Sequence, residues 1–321
     1  MHDGLTRSTL LRGGAAIAAT GLAASAAAPA TATRDRGLSP EKRIRRAYRR
    51  ETARAGGTWC SHITIDGGGA ESTVVSERAD VELRAASVNK LAMAVAVLER
   101  VDRGELGLAQ RLDLTADAIT SGNGSSGMWF LHQVYGDRLT LANVLTTLVL
   151  LSEDSALPLI AQVVPADELN ATLAALGFEV TRVEPDTENP GRFFHGFTTP
   201  REMHSLLTRL ASGDLLSAES SSFLLDVVRW SEPGYTDGVR RNMSSEERSR
   251  VASKYGAYED RRLEVGMVFD RSGAPGLTFS FMAYGLSDEE NFGATHPAVE
   301  ARAALGRTLL EAVGPPQTRS S

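Results

Sequence analysis

A chain of 321 residues with 42% hydrophobic and 23% charged residues is long enough for one large domain or two subdomains around a real core, which excludes wholesale disorder. A formal net charge of -6, with no basic block in the body of the chain beyond Arg43, Arg45, Arg46, Arg49 and Arg50, argues against a nucleic-acid partner. That arginine cluster reads as the solvated face of one helix. Among the basic residues lysine occurs only at Lys42, Lys90 and Lys254, so a lysine at a chemically useful place is less accidental than usual.

Residues 1–32 have the form of a signal peptide. Arg7 and Arg12 precede an Ala-rich apolar run to Ala28, and Ala30-Thr31-Ala32 fits a small-residue cleavage site. The mature protein is expected outside the cytoplasm, without a stable membrane span and as a monomer. Cys60 is the single cysteine, so no internal disulfide is expected, and its strand-like surroundings suit a small core residue.

Ser39-Pro40-Glu41 starts a helix, with proline at the first helical position, that ends near Gly56-Gly57. Thr58 to Asp66 reads as a strand, with Ile63 and Ile65 on one face and His62, Thr64 and Asp66 on the other, and Ser72 to Ser76 is its hairpin partner. His62 has no second ligand at a metal spacing and reads as structural. In Ser87-Val88-Asn89-Lys90 a serine precedes a lysine by three residues at the start of a buried helix, which ends at Gly104. Such a serine can act as a nucleophile, with the amine in reach of its proton and free helix N–H groups to hold an oxyanion. A chain this long holds roughly one S-x-x-K by chance, so partners decide its meaning.

Thr115 to Gly127 is polar and loop-like, followed by Met128-Trp129-Phe130, which reads as core or as the wall of a pocket. Helices follow at Leu141 to Leu151 and Ser155 to Val164. Thr181 to Gly191, with two prolines among acids and amides, reads as an extended loop. Thr199-Pro200-Arg201-Glu202 is a capping box opening a helix through Leu210, and Ser217 opens another to about Trp230. Val251 to Ala257 is a short strand, Leu263 to Phe269 and Leu277 to Tyr284 form a hairpin, and His296-Pro297 begins a last helix.

This order predicts an α/β plus α architecture: an antiparallel sheet flanked by helices and built from both chain ends, with an all-helical subdomain inserted between them. The expected boundaries are 39–83 with 250–316 for the α/β part and 84–249 for the mainly helical part. The cleft between the two parts is the expected ligand site.

Taken together, the motifs resemble the class A branch of the serine β-lactamase and penicillin-binding protein superfamily over about Glu41 to Val313. Ser87-Val88-Asn89-Lys90 is similar to its nucleophile motif, Ser152-Glu153-Asp154 to its S-D-N, Arg182-Val183-Glu184-Pro185 to its acidic loop, and Lys254-Tyr255-Gly256 to its K-T-G. The resemblance implies a hydrolase acylated at Ser87, with Lys90 or Glu184 (through a water) as base, Ser152 as proton relay, and Lys254 supporting Ser152 and attracting a substrate carboxylate. The N–H groups of Ser87 and Ala257 would form the oxyanion hole, and Glu184 would direct the deacylating water. Trp129, Asp154, Tyr255, Gly256, Ala257 and Arg262 are the implied substrate contacts, a β-lactam the implied small-molecule acyl substrate, and no metal or cofactor is called for. An esterase, an amidase, a peptidoglycan carboxypeptidase-like acyl transferase and a non-catalytic binding homologue remain as alternatives. Asp154 in place of an amide and Tyr255 in place of a threonine bear on which acyl group is taken.

Overall fold

A computed structural model describes residues 37–66, 71–120, 127–129, 136–230 and 238–314. The expected signal peptide over 1–32, the glycines at 67–69 and Phe130 lie outside the described residues.

The sheet is built from both chain ends. Strands β1 (Thr58–Asp66) and β2 (Glu71–Glu77) come from the N-terminal part. Strands β8 (Val251–Tyr258), β9 (Arg261–Phe269) and β10 (Pro275–Tyr284) come from the C-terminal part. They are antiparallel in the order β2-β1-β10-β9-β8, with Ile63 opposite Phe279 and Lys254 opposite Val265. Helices α1 (Pro40–Ala55) and α9 (Pro297–Ala312) cover its outer face, where Ile44, Tyr48, Ile63, Phe279, Phe281 and Leu305 form one core. Each such side chain buried contributes about 1.5–3 kcal/mol. Ser39 caps α1 and Gly56, at φ 73°, ends it.

The face of β1 that carries His62 and Thr64 is not solvated, although its sequence is polar. Helix α6 (Pro200–Ser212), capped by Thr199, lays His204 against it. Thr64 Oγ1 and His204 Nε2 are 2.8 Å apart, and the His62 and His204 rings meet edge to face at 4.6 Å. The polar pattern is a buried network rather than an exposed face.

On the inner side of the sheet, α2 (Lys90–Asp102) is enclosed over its first nine residues. It packs among α3 (Leu141–Leu150), α4 (Ala156–Ala161), α5 (Ala166–Ala175) and α7 (Ala218–Val228) in a second core, which also holds Cys60 and Leu263. A helix that is apolar all round belongs in such a place. No helix among the described residues is long and apolar enough to cross a membrane.

The stretch read as an extended loop holds more structure than expected. Strand β6 (Arg182–Pro185) pairs with β7 (Phe193–Thr198), which pairs with β3 (Leu83–Arg84), giving a small sheet in the order β3-β7-β6. Pro185 ends β6 opposite Phe193, with the backbone bond carried by the next residue, Asp186 N–H to Arg192, and Pro190 lies in the turn beyond. The remaining short elements are β4 (Arg111–Asp113), β5 (Arg138–Thr140) and α8 (Ser245–Arg248).

Candidate active site

Ser87 sits in a 3-10 turn, Ala86–Asn89, between β3 and α2. Ala86 is held at φ 44°, a left-handed conformation that a non-glycine residue adopts only under constraint. Strand β8 provides part of that constraint. A Cβ on Gly256 would lie 2.9 Å from the Ser87 nitrogen and 3.0 Å from that of Val88, so only glycine lets the strand lie so close. The backbone of the Lys254-Tyr255-Gly256 segment thus runs beside the Ser87 N–H, where an oxyanion hole would form.

Three more of the expected residues converge behind the turn. Lys90 is fully buried, and its ammonium donates to Ser152 Oγ at 3.2 Å, to the Ser152 carbonyl and to Asp154 Oδ1 at 2.6 Å. Lys254 donates to the same Ser152 Oγ at 3.1 Å. With two amines donating to it, the Ser152 hydroxyl can offer its own hydrogen to a departing group. Ser152 is at φ 58°, a second strained residue in the same cluster. Burial pushes Lys254 well below the ordinary lysine range, and the charge of Lys90 adds to this. Burial also lowers Lys90, opposed by the charge and hydrogen bond of Asp154. On Asp154 burial acts upward, but the His195 hydrogen bond and the Lys90 charge outweigh it and hold the carboxyl far below its usual range. Three acceptors match the three N–H bonds of an ammonium, so the Lys90–Asp154 pair is ionised.

Asp154, expected among the substrate contacts, is thus engaged by Lys90 and by His195. The Lys254 ammonium lies 4.7 Å from the Tyr255 ring centroid, so the ring also shields that charge. Trp129 is half-buried against the inner core, and its backbone N–H donates to Glu153 Oε2 at 3.2 Å. Arg262 is a correction. It is 1% exposed, and its guanidinium donates to the carbonyls of Glu259, Arg261, Glu289 and Asn291, which leaves it turned away from any substrate. Burial of a neighbouring position cannot be read from a charged letter in the sequence.

Glu184 is not brought to Ser87. Its carboxylate is 2.7 Å from the Arg84 guanidinium, on the outer face of the small sheet. There Arg84 and Arg182 sandwich the Phe197 ring at 4.9 and 4.7 Å, and Glu82 pairs with Arg182 at 2.7 Å. The residue facing Ser87 from this sheet is His195, which the sequence reading does not single out. Its Nε2 is 3.4 Å from Ser87 Oγ and 3.4 Å from Asp154 Oδ1. The aromatic Phe193-Phe194-His195-Gly196-Phe197 run before the capping box signals a strand here, but not which of its residues faces Ser87.

Glu153 is structural. Its buried carboxylate accepts from the N–H groups of Met128, Trp129 and Ser155, and a Cβ on Gly127 would collide with it. Glu153→Gln turns one acceptor oxygen into a donor facing an N–H, at a cost of about 1–3 kcal/mol. The expected result is a melting temperature lower by several degrees, and an unchanged melt would refute the anchoring role.

A serine on a strained turn, a serine hydroxyl between two buried lysines, and a sheet-and-helices frame go with a serine hydrolase of the class A β-lactamase fold. A model of the β-lactamase enzyme family matches residues 39–313, and the chain belongs to that family. It is 32% identical over 243 residues to a β-lactamase of Streptomyces fradiae, covering 74% of this chain and 72% of that one. In fold it resembles the crystal structure of a β-lactamase from Sphaerobacter thermophilus, with a TM-score of 0.68, 24% identity, and 85% of this chain and 96% of that chain covered. It also resembles an ancestral class A β-lactamase, with a TM-score of 0.66, 23% identity, and 85% and 100% covered.

Proposed function

We propose that this protein is an exported hydrolase that is acylated at Ser87 and hydrolyses β-lactams. The observation that carries the reading is Ser152 Oγ held between Lys90 and Lys254, behind the turn that presents Ser87. Ser87 Oγ attacks the lactam carbonyl, and the N–H groups of Ser87 and Ala257 stabilise the oxyanion. Ser152 passes its hydrogen to the departing nitrogen, and the Lys254 charge attracts a substrate carboxylate. Family membership and the β-lactamase relative support the substrate class. Export rests on the leader-like composition of residues 1–32.

A second reading, an esterase or amidase, is favoured by Asp154. As an ionised acceptor bound to Lys90 it cannot donate to the amide side chain of a penicillin. The test is intact-mass analysis after incubation with benzylpenicillin and with p-nitrophenyl acetate, with turnover followed in parallel. Rapid penicillin turnover is expected, and ester turnover alone would favour the second reading. A folded protein giving neither adduct nor turnover would refute both.

A further inference from the structure

We infer that His195 is the general base of this centre, taking the Ser87 proton in acylation and the proton of the attacking water in deacylation. The inference rests on the acyl-enzyme reading above and assigns the proton transfers within it.

Geometry selects the residue. Among the described residues, the hydrogen-bond partner of Ser87 Oγ is His195 Nε2, at 3.4 Å. That is long, but such contacts tighten when substrate binds. Lys90, the base implied by the spacing of the nucleophile motif, has each of its N–H bonds directed at Ser152 or Asp154. It presents no lone pair to Ser87. Glu184 is directed away by strand pairing. It stands opposite Phe194, which is 55% exposed, and cross-strand partners share a face. His195, the next residue, points the other way.

The backbone that carries the imidazole is also held in place. The Asn89 side-chain amide, from the nucleophile turn itself, donates to the carbonyls of His195 and, at 3.0 Å, Arg182. The Ala85 N–H donates to the Gly196 carbonyl at 3.0 Å. Gly196 sits at φ 71°, and a Cβ there would lie 2.1 Å from the Arg182 oxygen. This bulge puts Phe194 and Phe197 on the outer face and leaves His195 inward between them. The turn that carries the nucleophile therefore fixes the strand that carries the base.

The groups facing the ring are Ser87 and Lys90 from the turn and α2, Asp154 from the loop after α3, and Lys254 from β8. Burial and the two lysine charges push His195 below the ordinary imidazole range, opposed by the hydrogen bond and charge of Asp154. A neutral ring is what a base requires. Its proton then lies on Nδ1 and its lone pair on Nε2, and the Nε2–H···Oδ1 hydrogen bond to Asp154 forms once the ring is protonated.

The proton count closes. In acylation Nε2 takes the hydrogen of Ser87 Oγ as the Oγ–C bond forms, and the new N–H is held by Asp154 Oδ1, 3.4 Å away. Ser152 gives its hydrogen to the leaving group and is reprotonated from the imidazolium through the Asp154–Lys90 contact. In deacylation Nε2 takes one hydrogen of water while its oxygen bonds to the acyl carbon. The Oγ–C bond then breaks, and Nε2 returns that hydrogen to Ser87 Oγ. The His195 side chain remains 28% exposed, which gives the water a path.

The test compares wild type, His195→Gln and Glu184→Gln with benzylpenicillin and p-nitrophenyl acetate, after thermal melts confirm folding. With whichever probe acylates wild type, His195→Gln is expected to slow acylation by about 10²–10⁴-fold. Wild-type acylation should show an acid limb with its midpoint below the ordinary imidazole value, and this limb should vanish in the variant. Should His195→Gln fail to fold, the wild-type limb and partial rescue of His195→Ala by added imidazole give the same answer. Acylation and turnover of His195→Gln within a few-fold of wild type would overturn the inference. So would a wild-type rate with no acid limb down to the lowest pH at which the protein stays folded, or an acyl-enzyme trapped by Glu184→Gln while His195→Gln turns over. Wild type that forms no adduct and shows no turnover instead refutes the acyl-enzyme reading itself.

Discussion

Ser87→Ala is expected to keep its native mass after incubation with benzylpenicillin or p-nitrophenyl acetate and to lose turnover by on the order of 10⁴-fold or more. The loss should be chemical and not structural. Ser87 Oγ has His195 as its hydrogen-bond partner among the described residues, while the turn around it is fixed by backbone contacts to β7 and β8. Removing one half-buried hydroxyl should change stability by within about 0.5 kcal/mol. An unchanged melt with no adduct is therefore the signature. An adduct that survives the substitution would place the acylated residue elsewhere, and peptide mapping would locate it.

The second large effect concerns the Lys90–Asp154 pair. Asp154→Ala leaves a fully buried ammonium without its carboxylate, and breaking a buried pair in this way costs about 3–5 kcal/mol. The cost should depend on pH with a defined sign. Lys90 is already lowered from 10.5 by burial, and loss of the Asp154 charge and hydrogen bond lowers it further. Below 10.5 the unfolded chain then binds a proton that the folded variant resists, so the variant loses stability as pH falls through that window. Wild-type Asp154 contributes stability above its unfolded value of 3.8, which is lost only as pH falls through its far lower folded value. The gap in melting temperature between wild type and variant should be widest near neutrality and close toward alkaline pH. A gap independent of pH would mean that the pair is not ionised.

Much of this centre can be read from the letters. Ser87 and Lys90 are three apart at a helix start, Ser152 follows a strongly periodic helix, and Lys254 stands in a short strand after which a hairpin completes the sheet. Local spacing and element order are enough to bring them together, because the sheet from both chain ends forces the ends of these elements into one place. Arg262 and the outward turn of Glu184 could not be read in this way. Whether a guanidinium meets substrate or four carbonyls is decided by loops 27 and 29 residues away. Whether Glu184 or His195 faces Ser87 is decided by one bulge. Plain alternation would put Phe193, His195 and Phe197 on one face, but the extra residue at Gly196 sends Phe197 outward to lie between two arginines. Register in a short hairpin is a tertiary property, settled by what each face can bury.

That bulge also sets where this chain can change length. The turn over residues 186–192 joins β6 to β7 on the far side of the hairpin, and residues gained or lost there leave both strands in step. One residue gained or lost between Phe193 and Gly196 would instead exchange the two faces, so that a phenylalanine ring met Ser87 and the imidazole faced outward. Homologous chains that share this centre should therefore vary freely in the turn, while the interval from His195 to the Thr199 cap stays at one length.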